Sequence, residues 1–208
     1  MLATAEATFG PFDVLILNLP SEQLAALNPV GLPLPNLPTY APTHAVMMRF
    51  DQPLPIEWDT ARPEHPDFAW IAREASKPGR PDAEQWILHS SPAWSARHLE
   101  RPPSEVEGLL IEAFQSYTKV PLAPIQSQIH RWRYAQVEHA TDERSMWDDE
   151  TMRGICGDLF GAGVEGALLS GAHLAGQVMS TLQRRDRWGR GDAPLFSTTP
   201  RVDATSRD

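Results

Sequence analysis

A single cysteine, Cys156, stands in 208 residues, so neither an internal disulfide framework nor a cysteine-based zinc site can be built. Basic charge is also scarce. Lysine plus arginine number 18 against 27 aspartates and glutamates, a net charge of −9, with no basic cluster. Such a chain is unsuited to riding on phosphate backbones, so no nucleic-acid partner is expected. No apolar stretch approaches the roughly 20 residues that span a bilayer. The opening MLATAEATFGPFD has neither a basic region nor an apolar signal core. The seven histidines show no H-x-H or H-E-x-x-H spacing, and no metal is expected. G-x-S-x-G is missing as well, and no internal repeat occurs. The expectation is a soluble, cytoplasmic protein with no membrane partner.

What is present is a hydrophobic content of 41%, enough for a core in one large domain or two small ones. Proline is abundant at 20 residues, about twice the usual share. The prolines crowd 20–42 and 53–66, where regular structure must be interrupted. Seven tryptophans add to the apolar side. After Leu182 apolar periodicity disappears, and 184–208 reads as a loose tail.

Between Gly10-Pro11 and Pro20, residues 12–19 (FDVLILNL) form a short apolar run that suits a strand buried on both faces of a parallel sheet. Ser21 then caps a short helix, SEQLAAL. Segments 43–51, 67–73 and 84–90 read as strands of an antiparallel sheet, the last two as a long-looped hairpin. Ser104 and Glu107 form a capping box ahead of a helix over 104–119. Its Val106, Leu109, Leu110, Ala113, Phe114 and Tyr117 make one apolar face. QIHRWRY at 128–134 alternates, with His130, Trp132 and Tyr134 on one side and Ile129, Arg131 and Arg133 on the other. GICGDLFGAGVEGALLSGAHLAGQVMSTL reads as strand, glycine-rich turn and helix. That helix places Leu168, Ala172, Ala175, Val178, Met179 and Leu182 along one side.

Two constellations bear on chemistry. Gly161-Ala162-Gly163-Val164-Glu165-Gly166 matches G-x-G-x-x-G, which in dinucleotide-binding units brings backbone amides to a pyrophosphate. An ordinary unit of that kind needs a second parallel strand after the helix, and here the chain turns polar and ends. A helix starting just past Gly157-Asp158 still presents free amides and a positive dipole end to an electron-rich group. The alternative is structural: Asp158 caps the turn, and the glycines allow tight packing. His130-Arg131-Trp132-Arg133-Tyr134 packs two guanidiniums among aromatic rings. It suits an anionic aromatic ligand on a cavity wall, or else a half-buried strand with a solvated arginine face. His173 reads as a packing residue, and Cys156 as an inert core thiol.

FAWIAREASKPGR, WILHSSPAWSARHLE, the helix around VEGLLIEAF, HRWRYA and CGDLFGAGVEGALLSGAHLA, taken in order over residues 10–183, resemble the C-terminal half of renalase-like flavoproteins of the FAD-dependent amine oxidase superfamily. The resemblance implies an α+β fold. Residues 41–135 would be an antiparallel-sheet substrate domain with covering helices, and 10–40 with 136–183 a partial FAD domain. It implies FAD as cofactor. Gly157 and Asp158 would lie by its ribityl–phosphate part. Val164, Glu165, Gly166 and Ala167 would lie at the pyrimidine edge of its ring, where a helix N-terminus steadies the charge gained on reduction. Trp132, Arg133 and Tyr134 would line the substrate side. The implied activity is oxidation of reduced nicotinamide dinucleotide (NAD(P)H) isomers, or of amine-like substrates, with hydride transfer to flavin and reoxidation by oxygen. No catalytic residue is assigned.

The family opens with a Rossmann unit whose G-x-G-x-x-G holds the ADP half of FAD, and nothing before residue 10 supplies it. Asn18 stands where relatives tend to have a small residue. The expectations are therefore weak FAD binding by this chain alone and an exposed apolar face along 12–19 that a partner chain covers. The competing reading is a flavin-free remnant acting as a binding or assembly subunit.

Overall fold

The structure is a computed structural model that describes residues 2–3, 6–27 and 37–187. The elements run β1 (Leu2–Ala3), β2 (Thr8–Phe9), β3 (Leu15–Leu17), α1 (Ser21–Leu27), β4 (Tyr40–Arg49), β5 (Thr60–Ala61), β6 (Phe68–Arg73) and β7 (Gln85–Ser90). They continue with α2 (Pro92–Arg97), α3 (Pro103–Thr118), β8 (Gln126–Val137), β9 (Met146–Asp148), β10 (Arg153–Ile155) and α4 (Gly163–Arg187). This is the mixed α+β architecture the sequence implies. The described residues divide into two compact units, one of residues 39–138 and one of those before 39 together with those after 138.

The 39–138 unit is a five-stranded antiparallel sheet in the order β5-β6-β7-β4-β8. Alternation along β4 and β7 sends Val46, Met48, Trp86 and Leu88 to one face, where they pack with Val106, Leu110 and Phe114 of α3. The expected face of α3 is thus the buried one, though its capping box does not form. The helix starts one residue early, with Pro102 at the cap position and no side-chain cap. Pro103 has its φ preset for a first helical position and lacks the N–H that a cap would satisfy.

The other unit holds a three-stranded sheet, β3-β10-β9, with β3 parallel to β10 and β9 antiparallel to it. Gly154 lets α4 lie close, since a Cβ there would come within 2.8 Å of Leu174 Cδ1. Three sequence readings are corrected in this unit. The 12–19 run pairs in parallel as expected, but its strand is confined to Leu15–Leu17 and is not buried on both faces: Phe12 is 55% exposed and Ile16 48%. The buried side of α4 is Ser170, Leu174, Val178 and Thr181, whereas Leu168, Ala172, Ala175 and Met179 face outward. Periodicity identifies an apolar stripe, but not whether a neighbour covers it. Residues 184–187, read as tail, continue α4; the rest of that tail, and the prolines at 29, 33 and 35, lie outside the described residues. Cys156, buried just past β10, has its thiol pKa pushed up by burial, in keeping with an inert core thiol.

Candidate functional site

In the strand–turn–helix segment, Gly157 has φ +137° and a backbone N–H that donates to Ser170 Oγ at 3.1 Å. A Cβ on it would meet Asn18 Oδ1 at 2.7 Å, so a larger residue would have to turn the Asn18 side chain aside as well as adopt a φ that favours glycine. Asp158, half-buried, opens a short 3-10 turn through Phe160, and its carbonyl accepts from Gly161 N–H at 3.1 Å. Helix α4 begins at Gly163 (φ +78°), a conformation that favours glycine.

The glycine spacing has a structural cause. A Cβ on Gly166 would fall 1.9 Å from the carbonyl oxygen of Gly161. Gly161 and Gly166 are therefore small because the turn folds back on the first turn of its own helix. Val164 and Glu165 point away from that contact and are exposed, Val164 at 90%. Ala167 is half-buried one position on. The arrangement leaves a helix N-terminus open at its end, with first-turn amides and the positive dipole end directed at whatever approaches.

In the 39–138 unit, strand register assigns the face left bare by α3. Trp70, His89, Ala45 and His130 sit opposite one another in one row across four strands, and Trp132 pairs with Thr43 beyond it. Trp132 is 53% exposed, its ring centroid 4.2 Å from that of His130; Trp70 and His89 are 5.1 Å apart. Lys77 Nζ lies 5.3 Å from the Trp70 ring, a cation–π distance. Burial, and secondarily Lys77, lowers the pKa of His89, so the row is apolar and aromatic with a neutral imidazole at pH 7. The ladder shifts register just past Trp132, from Thr43↔Trp132 to Ala41↔Gln136. The simple alternation that would link Trp132 to Tyr134 ends there.

Arg133 is differently placed. Its Nη1 and Nη2 donate to Glu100 at 2.7 and 3.1 Å, while Arg131 donates to the Leu99 carbonyl at 2.6 Å and reaches Glu100 at 3.5 Å. The hydrogen bond from Arg133 is the main reason the Glu100 carboxyl is held below its usual range. Both arginines thus share one carboxylate on the side of the strand away from Trp132. Trp70 and His89 carry no motif, and His130 stands out only with its neighbours on the same strand; alternation within FAWIAR, QWILHS and QIHRWRY contains the signal, but only the register joins them.

His173 does not pack in the interior. It is exposed on α4, with Nδ1 2.8 Å from Ser145 Oγ. That hydroxyl donates its single proton to Gln177 Oε1 at 2.8 Å, which makes His173 Nδ1 the donor to it. Among the described residues no group of three or more His, Cys, Asp or Glu side chains could hold a metal, and no helix is long and apolar enough to cross a membrane.

No protein-family profile matches the chain. Its fold is similar to a solved structure described as "Putative protoporphyrinogen oxidase" from Exiguobacterium sp. 255-15, with a TM-score of 0.59 and 18% identity. The match covers 82% of this chain and 41% of that one. The match therefore spans about two fifths of the length of that protein.

Proposed function

We propose that this chain is the flavin-ring and substrate part of an FAD-dependent oxidoreductase acting on reduced nicotinamide dinucleotide isomers or amine-like substrates. One observation carries the reading: an open helix N-terminus directly after a Gly-Asp turn, in a chain whose fold is similar to that of a described oxidase. Gly157 and Asp158 would hold the ribityl–phosphate part of FAD; Val164, Glu165, Gly166 and Ala167 would stand at its ring edge. The residues fit the group, because the first-turn amides are open and the Gly161–Gly166 contact keeps side chains out of their way. A flavin held there would supply a hydride acceptor that oxygen could reoxidise.

The chain's own residues do simpler things. Trp132, exposed on the bare face, offers flat apolar surface on which a nicotinamide ring can stack; Tyr134, half-buried past the register shift, would serve as a second wall only from beyond that irregularity. The neutral His89 beside Trp70 adds no positive charge of its own to the face that carries Trp132, which suits a product that becomes cationic on losing hydride. Arg133, held by Glu100, can serve an anionic group only by exchanging that partner.

The test is an FAD titration followed by absorbance. The expected result is a weak, saturable change in the flavin spectrum that Asp158→Ala diminishes. A flavin spectrum untouched by the chain at millimolar FAD would refute the reading. A stoichiometric yellow complex at micromolar FAD would instead overturn the expectation that this chain alone binds poorly.

A second reading, a binding or assembly subunit, is favoured by the outward apolar residues of α4. Val164 is 90% exposed and Leu168 71%, one turn apart. Monomeric proteins seldom leave such a stripe uncovered.

A further inference from the structure

We propose that the end of the β4–β7–β8 face remote from Trp132, ringed by Arg49, Lys77 and Arg80, binds the phosphate monoester of a phosphorylated dinucleotide substrate. The inference rests on the proposed function for the identity of the substrate and on the 39–138 unit alone for the site. It would make the preferred substrate an NADPH-type isomer rather than an NADH-type isomer or a simple amine.

The site follows from register. Below the aromatic row, Ile87, Met47 and Gln128 stand opposite one another, and below them Gln85, Arg49 and Gln126. The segment 74–80 curls over this end, bringing Glu74, Lys77 and Arg80 to the same concavity, whose volume is about 470 Å³. Its floor is thus apolar at Met47 and Ile87, and its rim carries three cations and several amide donors.

Charge favours a dianion. Glu74 pairs with Lys77 and, at 3.7 Å, with Arg80. Three cations and one carboxylate leave two positive charges in a chain whose net charge is −9. A phosphate monoester carries about −1.5 to −2 at pH 7, so the charges match. Arg49 makes no ion pair among the described residues, whereas Arg131 and Arg133 are occupied by Glu100. Glu74 acts as a positioning residue: it orients Lys77 and Arg80 while most of their donors remain available.

Length favours a dinucleotide. Arg49 lies six positions along β4 from Thr43, which is opposite Trp132, about 20 Å at the usual rise of a strand. An extended dinucleotide can stack a ring at one end and place a monoester at the other. An amine-like molecule covers a fraction of that span and has nothing to offer the cations.

The chain contains two lysines, Lys77 and Lys119, which permits a test on the unaltered protein without flavin. The rate of acylation at each is followed by mass spectrometry with adenosine 2′-phosphate, with adenosine, or with neither. Adenosine 2′-phosphate is expected to slow acylation of Lys77 about tenfold at ten times its dissociation constant, by simple occupancy. Lys119 should be unaffected. Adenosine should protect neither, Arg49→Ala should remove the protection, and added salt should weaken it. Equal protection by adenosine, protection that survives Arg49→Ala, or an unchanged Lys77 rate at roughly 10 mM adenosine 2′-phosphate, about ten times the upper end of usual KM values, would overturn the proposal. Protection without any flavin complex would sink the flavin reading alone; a flavin complex without protection would sink this inference alone.

Discussion

Replacing Gly166 with alanine isolates what the glycine-rich turn is for. In an unobstructed helix the change should stabilise the protein by about 1 kcal/mol, because glycine has the lower helix propensity. Here the new Cβ would fall 1.9 Å from the oxygen of Gly161, 2.1 Å from its carbonyl carbon and 2.6 Å from its Cα. All three are backbone atoms, so no side-chain rotation relieves the clash. An ordinary contact begins near 3.4 Å, which requires a separation of the turn from the helix by about 1.5 Å. That movement strains the bonds Gly161 N–H to Asp158 and Phe160 N–H to Gly157, now 3.1 and 3.2 Å, each contributing about 1 kcal/mol. With overpacking at about 1–3 kcal/mol, a net loss of about 2–4 kcal/mol is expected. Urea unfolding followed by tryptophan fluorescence reads it, since Trp147 donates to Thr181 of α4. Gly108→Ala is the control: nothing lies within 4 Å of the added Cβ in the middle of α3, and a gain of up to about 1 kcal/mol is expected. A Gly166→Ala protein as stable as the parent would refute the packing account and return the glycine spacing to a purely ligand-directed role.

Leu110→Ala should cost about 2–5 kcal/mol in the same assay, because Leu110 is fully buried between α3 and the sheet. His44 is buried edge-on against Trp94, with its pKa lowered by burial first and by Arg131 and His98 next. Its neutral form is the one that fits, so stability is full above the unfolded histidine pKa near 6.5 and declines as pH falls below it, where the unfolded chain binds the extra proton. His44→Gln should flatten that slope between pH 6.5 and 5 in thermal melts; an unchanged slope would clear His44 of responsibility. Val164→Glu with Leu168→Lys should leave the melting temperature nearly unchanged, both sites being exposed. Reduced self-association or partner binding in sedimentation velocity would tie the stripe to assembly, and unaltered sedimentation would count against the subunit reading.

Much of the architecture was legible before any coordinates. Period-2 runs such as FAWIAR and QWILHS, and the 3.6-period face of α3, report burial that a residue's own neighbours create, so they survive into the fold. The strand 126–137 and the helix after the Gly-Asp turn were legible for the same reason. Burial that depends on distant segments was not. FDVLILNL is apolar at six of its eight positions, yet Ile16 is exposed, since composition cannot say which strand face finds a cover. The outward side of α4 is the same case. The capping box at Ser104 failed because Pro103 had a stronger local preference. In the candidate site, the sequence on its own determined the glycine-rich turn and the alternating aromatic strand, both local patterns. Only the tertiary structure decided that Gly166 meets Gly161, that Glu100 holds Arg131 and Arg133, and that Arg49, Lys77 and Arg80 share one concavity. The first follows from how one turn closes on its own helix; the other two join distant segments, and such distances are set when the whole sheet pairs, not by any stretch of residues within it.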